Sequence, residues 1–397
     1  MPLVSPPPTN ANSNAAIISV EEATRRHIKR EHCIPETEAF VDCRLPGSMP
    51  KENFSMIGPG VTQSASQRIN LREPHGFNIG AAGVHPGITN NLHLHFTSET
   101  FIAASGAYTL RWGVRGDEGE LPVATGDIVC MPTWMFRGFS SASDDYGFLM
   151  TVLGGDDTGG IIWSPEVLKR ARETGLWLTK DNMLVDARAG EPIPAAEDLL
   201  PLMPESDIAA LKRWSVEAMR ARVVTLSERD FRFATLDTFA GYRWELAPVV
   251  GSGLTQHREH HAKVQEPQGF SVEWMRVNAG EQSAPFTTQE TMVIINLSEA
   301  LNVTLNVGPQ AVTKTLGPQD ILSIPANVWR SFSADKSVAE AIMVLPGDQR
   351  KAPHFAASVS ARARAQDVCI DAGGRIAKAS LLPPAMLAPN AALAFAD

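Results

Sequence analysis

The chain repeats itself at one constant spacing, and that repeat limits what it can fold into. Gly60-Val-Thr-Gln63 returns as Gly253-Leu-Thr-Gln256, and Glu73-Pro-His-Gly-Phe77 returns as Glu266-Pro-Gln-Gly-Phe270. Pro132 matches Pro325, Arg137 matches Arg330, and Phe139-Ser140 matches Phe332-Ser333. Each pair differs by 193 (253 − 60, 266 − 73, 325 − 132, 330 − 137). Chance does not hold one offset over some eighty residues. The period is too long for a solenoid, so two similar domains are expected rather than an array.

Within each copy, short runs rich in β-formers alternate with Gly, Pro, Asn and Asp. Ala107-Tyr-Thr-Leu-Arg-Trp112, Asp127-Ile-Val-Cys-Met131, Met292-Val-Ile-Ile295 and Asn302-Val-Thr-Leu305 are examples. That pattern predicts a mainly β protein with a sandwich or barrel of short strands in each copy. The expected division is a tail and helical lead over 1–54, a first barrel over 55–155 and a helical linker over 156–247. A second barrel over 248–348 and an extension over 349–397 complete it. Ser19-Val-Glu-Glu22 reads as a capping box opening a helix toward Arg30. Ser164-Pro165-Glu166 reads as an N-cap followed by Pro at the first helical position, with Gly175 as the stop. Ser206 to about Arg222 reads as a further helix, Glu191–Pro204 as a connection, and the part after about Ser360 stays unassigned.

Composition excludes some functions. A formal net charge of −9 argues against nucleic acid and anionic membrane surfaces as partners. No apolar run approaches the ~18 residues of a membrane span. Met1 to Asn14 lacks the basic and apolar regions of a signal peptide and reads as a disordered tail. Cys33, Cys43, Cys130 and Cys369 form no CxxC pair, which fits reduced thiols and a cytoplasmic protein.

One stretch carries chemistry: Gly87-x5-His93-x-His95-x3-Glu99-x6-Gly106. Histidines two apart on a strand share one side, because strand side chains alternate. They can chelate one metal, and Glu99 lies near enough in the chain to complete two imidazoles with a carboxylate. That set suits Fe(II), and also Mn, Ni or Zn, with positions left open for a substrate. His85 reads as a loop histidine with an acid, base or ligand role as the alternative. His75 sits in the repeated Glu-Pro-x-Gly-Phe turn and reads as a turn residue; His257, His260 and His261 read as a solvated polar segment. Adding 193 to the three ligand positions gives Phe286, Thr288 and Met292, so the second copy has no ligand set and reads as structural.

The stretch from Gly87 to Gly106 resembles the first motif of the cupin superfamily, and the duplication resembles a bicupin. Its second motif, Gly-x5-Pro-x-Gly-x2-His-x3-Asn, is met at Gly126 and Pro132. Trp134 stands at the glycine position and Arg137 at the histidine position. The resemblance implies two double-stranded β-helix (jelly-roll) barrels. Length, leading helix, a metal motif confined to the first copy and the tryptophan at 134 are most similar to the gentisate and 1-hydroxy-2-naphthoate 1,2-dioxygenase group. This implies an Fe(II) dioxygenase that joins O2 to a hydroxylated aromatic or other small organic acid, in a homo-oligomer. A guanidinium has no lone pair to give a metal. Arg137 therefore has three readings: it grips a substrate carboxylate, it pairs with Glu99 in a metal-free site, or it is structural in both copies. Trp134, beside Phe136, is a candidate wall for an aromatic substrate. The competing functions are an isomerase, decarboxylase or lyase on the same fold, and a metal-free barrel that binds a small anion.

Overall fold

The computed structural model describes residues 15–383 and Met386. Met1 to Asn14, read above as a tail, lie outside the described residues. The chain divides into two compact units, one of residues 33–228 and one of residues up to His32 with Arg229 onward.

The barrel of the first unit is built from two sheets. A seven-stranded sheet runs in the order Val223–Val224, Ile128–Met131, Glu99–Ser105, Gly147–Gly154, Phe77–Val84, Lys51–Ile57, Ile69–Leu71. A five-stranded sheet runs Ile161–Trp163, Thr89–His95, Arg137–Ser141, Ala107–Trp112, Gly119–Ala124. Phe101, Val129 and Leu149 from the first sheet share one buried cluster with Leu110, Val123 and Phe139 from the second. Removing such apolar surface from water, at ~25 cal/mol per Å², holds the two layers together. Gly87 and Gly106, at the ends of the motif, both have positive φ (74° and 90°), a conformation glycine adopts without penalty.

The second unit has the same plan. Its six-stranded sheet runs His27–Ile28, Ile321–Ile324, Met292–Asn296, Ala339–Pro346, Phe270–Val277, Glu245–Val250. Its five-stranded sheet runs Val312–Leu316, Leu301–Leu305, Arg330–Ser333, Phe286–Thr287, His354–Phe355. The offset of 193 survives in the strand register. Ser55 pairs with Gly80 as Pro248 pairs with Glu273, and Glu99 pairs with Met131 as Met292 pairs with Ile324. One residue is lost before the last long strand: Thr151 faces Gly80 and Met343 faces Glu273, an offset of 192 (343 − 151).

The connections differ in part from the sequence expectation. The helical lead splits at Cys33. Ser19 accepts from the Glu22 N–H at 3.1 Å and caps Val20–Arg25, and the chain then enters the second unit's sheet at His27–Ile28 instead of continuing as helix to Arg30. The Glu22 carboxylate turns to Arg25 and Arg26, so only half of the capping box forms. Ser164 caps Pro165–Glu173, and Gly175 (φ 83°) follows its end. Ser206–Arg222 gives two short helices, Glu205–Ala210 and Val216–Arg220. Leu211 turns extended, and the Ser215 hydroxyl accepts from Ala218 N–H to start a new helix. The linker is also not purely helical, since Ile161–Trp163 and Val223–Val224 join the first unit's sheets. The unassigned C-terminal part folds as the helix Ala357–Arg364 and the hairpin Val368–Ile370 with Ile376–Lys378.

Candidate functional site

The alternation of Thr89-Asn-Asn-Leu-His-Leu-His95 turns both histidines inward. His93 and His95 are buried, with ring centroids 5.0 Å apart. His93 Nδ1 lies 2.7 Å from the Asn91 carbonyl oxygen. A carbonyl only accepts, so Nδ1 carries the proton and Nε2 keeps its lone pair. Neither ring nitrogen of His95 has a hydrogen-bond partner among the described residues. Leaving such buried groups unmet costs about 1–3 kcal/mol each. Burial, and then the charge of Arg137, push the His93 pKa down to about 3. The same two causes, with His93 added, hold His95 well below the usual histidine range. Both rings are therefore neutral at neutral pH and have lone pairs to offer.

Glu99 comes from the opposite sheet. It opens Glu99–Ser105, and its Oε1 lies 3.8 Å from His95 Nε2. Arg137 opens the strand next to the histidines, directly across from His93 in register. Its Nε and Nη2 both donate to Glu99 Oε2, at 3.1 and 2.9 Å, and Nη1 donates to the Met135 carbonyl at 3.2 Å. Burial pushes the Glu99 carboxyl up while Arg137 pulls it back. A guanidinium stays protonated, so the two form a buried ion pair.

A cavity of about 60 Å³ opens against His93, His95 and Glu99. One water needs ~10–15 Å³ of such space, so there is room for several waters or a small ligand. Phe40, Trp163 and Lys51 also line it. Arg137 is not among the lining residues; its fork holds Glu99 and the Met135 carbonyl behind the cavity wall. His85 and Trp134 also stay outside. His85 is exposed in the turn before Gly87 and packs on Tyr146 at 5.3 Å. Trp134 is 45% exposed, because a backbone φ of 56° swings its ring outward onto Phe96, at 5.2 Å. Neither walls this cavity. Lys51, Phe40 and Trp163 were missed in the sequence because they lie outside the motif. A signal for Lys51 was present: adding 193 gives Trp244.

The second barrel shows what the first would be without its site. Phe286, Thr288 and Met292 are fully buried. Trp244 stacks on Phe286 at 5.6 Å and 25°, in the register places of Lys51 and His93. Arg330 donates from Nε and Nη2 to the Val328 carbonyl at 3.1 and 2.9 Å, the counterpart of Met135. Clasping this carbonyl is thus common to both arginines, and Glu99 is what the first barrel adds.

His75 and Gln268 do the same job in the repeated turn. Their side chains reach the carbonyls of Glu73 and Glu266, and their N–H groups donate to Asp156 and Asp348. The segment 257–261 is not solvated throughout. His260 is buried between the Thr255 hydroxyl and the Asp230 carbonyl, at 3.2 and 2.7 Å, while His261 is exposed.

No family model matches the chain. No curated protein matches it either. Among solved structures it is similar to the 7S globulin of Momordica charantia, at 8% identity over 83% of this chain and 86% of that one, with TM-score 0.50. It is also similar to oxalate decarboxylase from Bacillus subtilis, at 11% identity over 84% and 78%, with TM-score 0.50. A further structure of that enzyme, described with its Mn(II) centres, gives 12% identity over 87% and 80%, again with TM-score 0.50. At such identities the likeness carries the fold and not the activity. The fold is that of a bicupin, with two double-stranded β-helix barrels. Among the described residues no helix is long and apolar enough to cross a membrane.

Proposed function

We propose that the N-terminal barrel is a metal-assisted enzyme site for a small organic acid. The observation that carries the reading is His95: two buried ring nitrogens with no partner, in the wall of a cavity, beside a histidine whose Nε2 is also left open. An imidazole whose far nitrogen is fixed by a backbone carbonyl is the usual second shell of a metal ligand. The donor types suit a divalent ion: His93, His95 and the Glu99 oxygen not bonded to Arg137, which lies 3.8 Å from His95 Nε2. Fe(II), Mn, Ni and Zn all suit that set. Such an ion would supply Lewis acidity and a template for the substrate. The chain's own contribution is separate. Asn91 sets the His93 tautomer, Arg137 keeps Glu99 ionised and in place, and Phe40 and Trp163 exclude water from one side of the cavity.

Fe(II), O2 and ring cleavage rest on the motif resemblance alone. The Mn(II) of the decarboxylase structure is an equal precedent on this fold. Oxygen uptake separates a dioxygenase from an isomerase, decarboxylase or lyase. One observation favours a second reading, a metal-free barrel that binds a small acid. Arg137 already supplies Glu99 with a cation, and among the described residues no three His, Cys, Asp or Glu side chains converge as a ready-made metal cage.

Metal analysis of protein purified without chelator decides between them. The expected result is about one metal per chain, lost in His93→Ala together with turnover. A content near zero that added Fe(II) or Mn(II) does not raise would falsify the metal reading and leave the binding one.

A further inference from the structure

We propose that Lys51 recognises the acid group of the ligand, so that the cavity selects small monocarboxylates with an apolar or aromatic body. The inference rests on the N-terminal barrel being the functional site, and it names the substrate class of that site. Lys51 opens Lys51–Ile57 and is 3% exposed, with the cavity on one side. Its Nζ donates to both oxygens of Asp42, at 2.7 and 2.8 Å, and to Asn90 Oδ1 at 2.7 Å. Asp42 is fully buried, is fixed by the Asn91 N–H and side-chain amide at 3.1 Å each, and lies away from the cavity. Asn90 lines the cavity. The ammonium's partner on the ligand side is therefore a neutral amide oxygen. A carboxylate is the stronger acceptor and can take its place.

The surroundings fit an acid with an apolar body. The rings of Phe40 and Trp163 lie 5.2 and 6.0 Å from Nζ, and both line the cavity. His93 packs on Trp163 in a tilted contact, ring centroids 5.2 Å apart, so the polar groups and the aromatic wall share one space. The second barrel keeps a buried donor on an aspartate at this register but not the charge: Trp244 Nε1 donates to Asp237 at 3.0 and 3.2 Å. Trp244 stacks on Phe286 in the place of the ammonium. The fold accepts a neutral N–H donor at this position, so the positive charge of Lys51 is not something the barrel itself requires. Arg137, the cation that the motif pointed to, stands behind Glu99 and is not among the residues that line the cavity, whereas Lys51 is.

The test is calorimetric binding of benzoate and acetate against benzamide and acetamide. The proteins are the full chain, Lys51→Arg, and the double variant Asp42→Asn with Lys51→Met. The double variant removes the pair without stranding a buried carboxylate, and circular dichroism confirms its fold. Expected is tighter binding of each acid than of its amide to the wild type, retained in Lys51→Arg. The acid should weaken at least tenfold in the double variant, with amide binding unchanged. Equal binding of benzoate and benzamide by the wild type overturns the proposal, as does undiminished benzoate binding in the folded double variant. Metal content is measured on the same samples. A metal-free protein that still prefers acids through Lys51 defeats the metal reading and supports this one.

Discussion

The buried pair of Glu99 and Arg137 separates what the scaffold needs from what the site adds. Both barrels keep an arginine that clasps the carbonyl two residues before it, and only the first gives that arginine a carboxylate. Arg137→Met leaves Glu99 buried and uncompensated, a change that destabilises by about 3–5 kcal/mol. The sign with pH follows from Glu99. Burial already raises its folded-state pKa, and removing Arg137 removes the group that pulls it back. A raised carboxyl contributes stability that is complete below the unfolded value of about 4.3 and is lost as pH rises through the folded one. Urea midpoints should therefore fall for Arg137→Met at pH 7.5 and recover toward pH 5. Adding Glu99→Met, the second barrel's residue, should restore most of the loss and flatten the profile. An Arg137→Met midpoint that matches wild type at both pH values defeats this account. His93 and His95 were legible together because strand alternation puts them on one side, while Glu99 and Arg137 were legible only as motif positions, since they arrive from the opposite sheet and the neighbouring strand. Which way the arginine's fork points was not, since spacing does not set a rotamer.

At the scale of elements, the turn before Arg137–Ser141 shows why a motif position can be legible when its role is not. The resemblance put Trp134 at a glycine position, and the structure gives it φ 56°. Its counterpart Asn327 has φ 60°. Both N–H groups close the same turn, onto the His95 carbonyl at 3.2 Å and the Thr288 carbonyl at 2.7 Å. Asparagine tolerates this left-handed backbone and a bulky aromatic does not. Trp134→Asn should stabilise the protein by about 1 kcal/mol in chemical denaturation, net of the exposed contact with Phe96. A loss above about 1 kcal/mol would mean that the Trp134–Phe96 contact outweighs the strain. The helix Pro165–Glu173 was legible because serine, proline and glycine mark its ends chemically. The break between the two short helices after Pro204 was hidden, because the apolar positions Ile208, Leu211 and Met219 read as one helix while the Ser215 cap interrupts it.

For the whole molecule, the duplication is the most legible fact, and the asymmetry between the copies is what gives it meaning. The same offset that predicts two barrels also predicts where they differ: His93 against Phe286, Glu99 against Met292, and Lys51 against Trp244. The first two changes trade a polar group for an apolar side chain, the third trades a charged donor for the neutral indole N–H that holds Asp237, and all three second-barrel side chains are buried. A ligand that binds only the native state stabilises by RT ln(1 + [L]/Kd), about 2.7 kcal/mol at a hundredfold excess over Kd. Under the metal reading that stabilisation enters through the unit of residues 33–228, which holds the donors. Hydrogen exchange measured with and without Fe(II) or Mn(II) should slow by roughly a hundredfold in Thr89–His95, Glu99–Ser105 and Arg137–Ser141. Phe270–Val277 and Met292–Asn296 should be unchanged, and His93→Ala should abolish the effect. Slowing that is equal in both units, or that persists in His93→Ala, would place the bound metal somewhere other than the histidine pair.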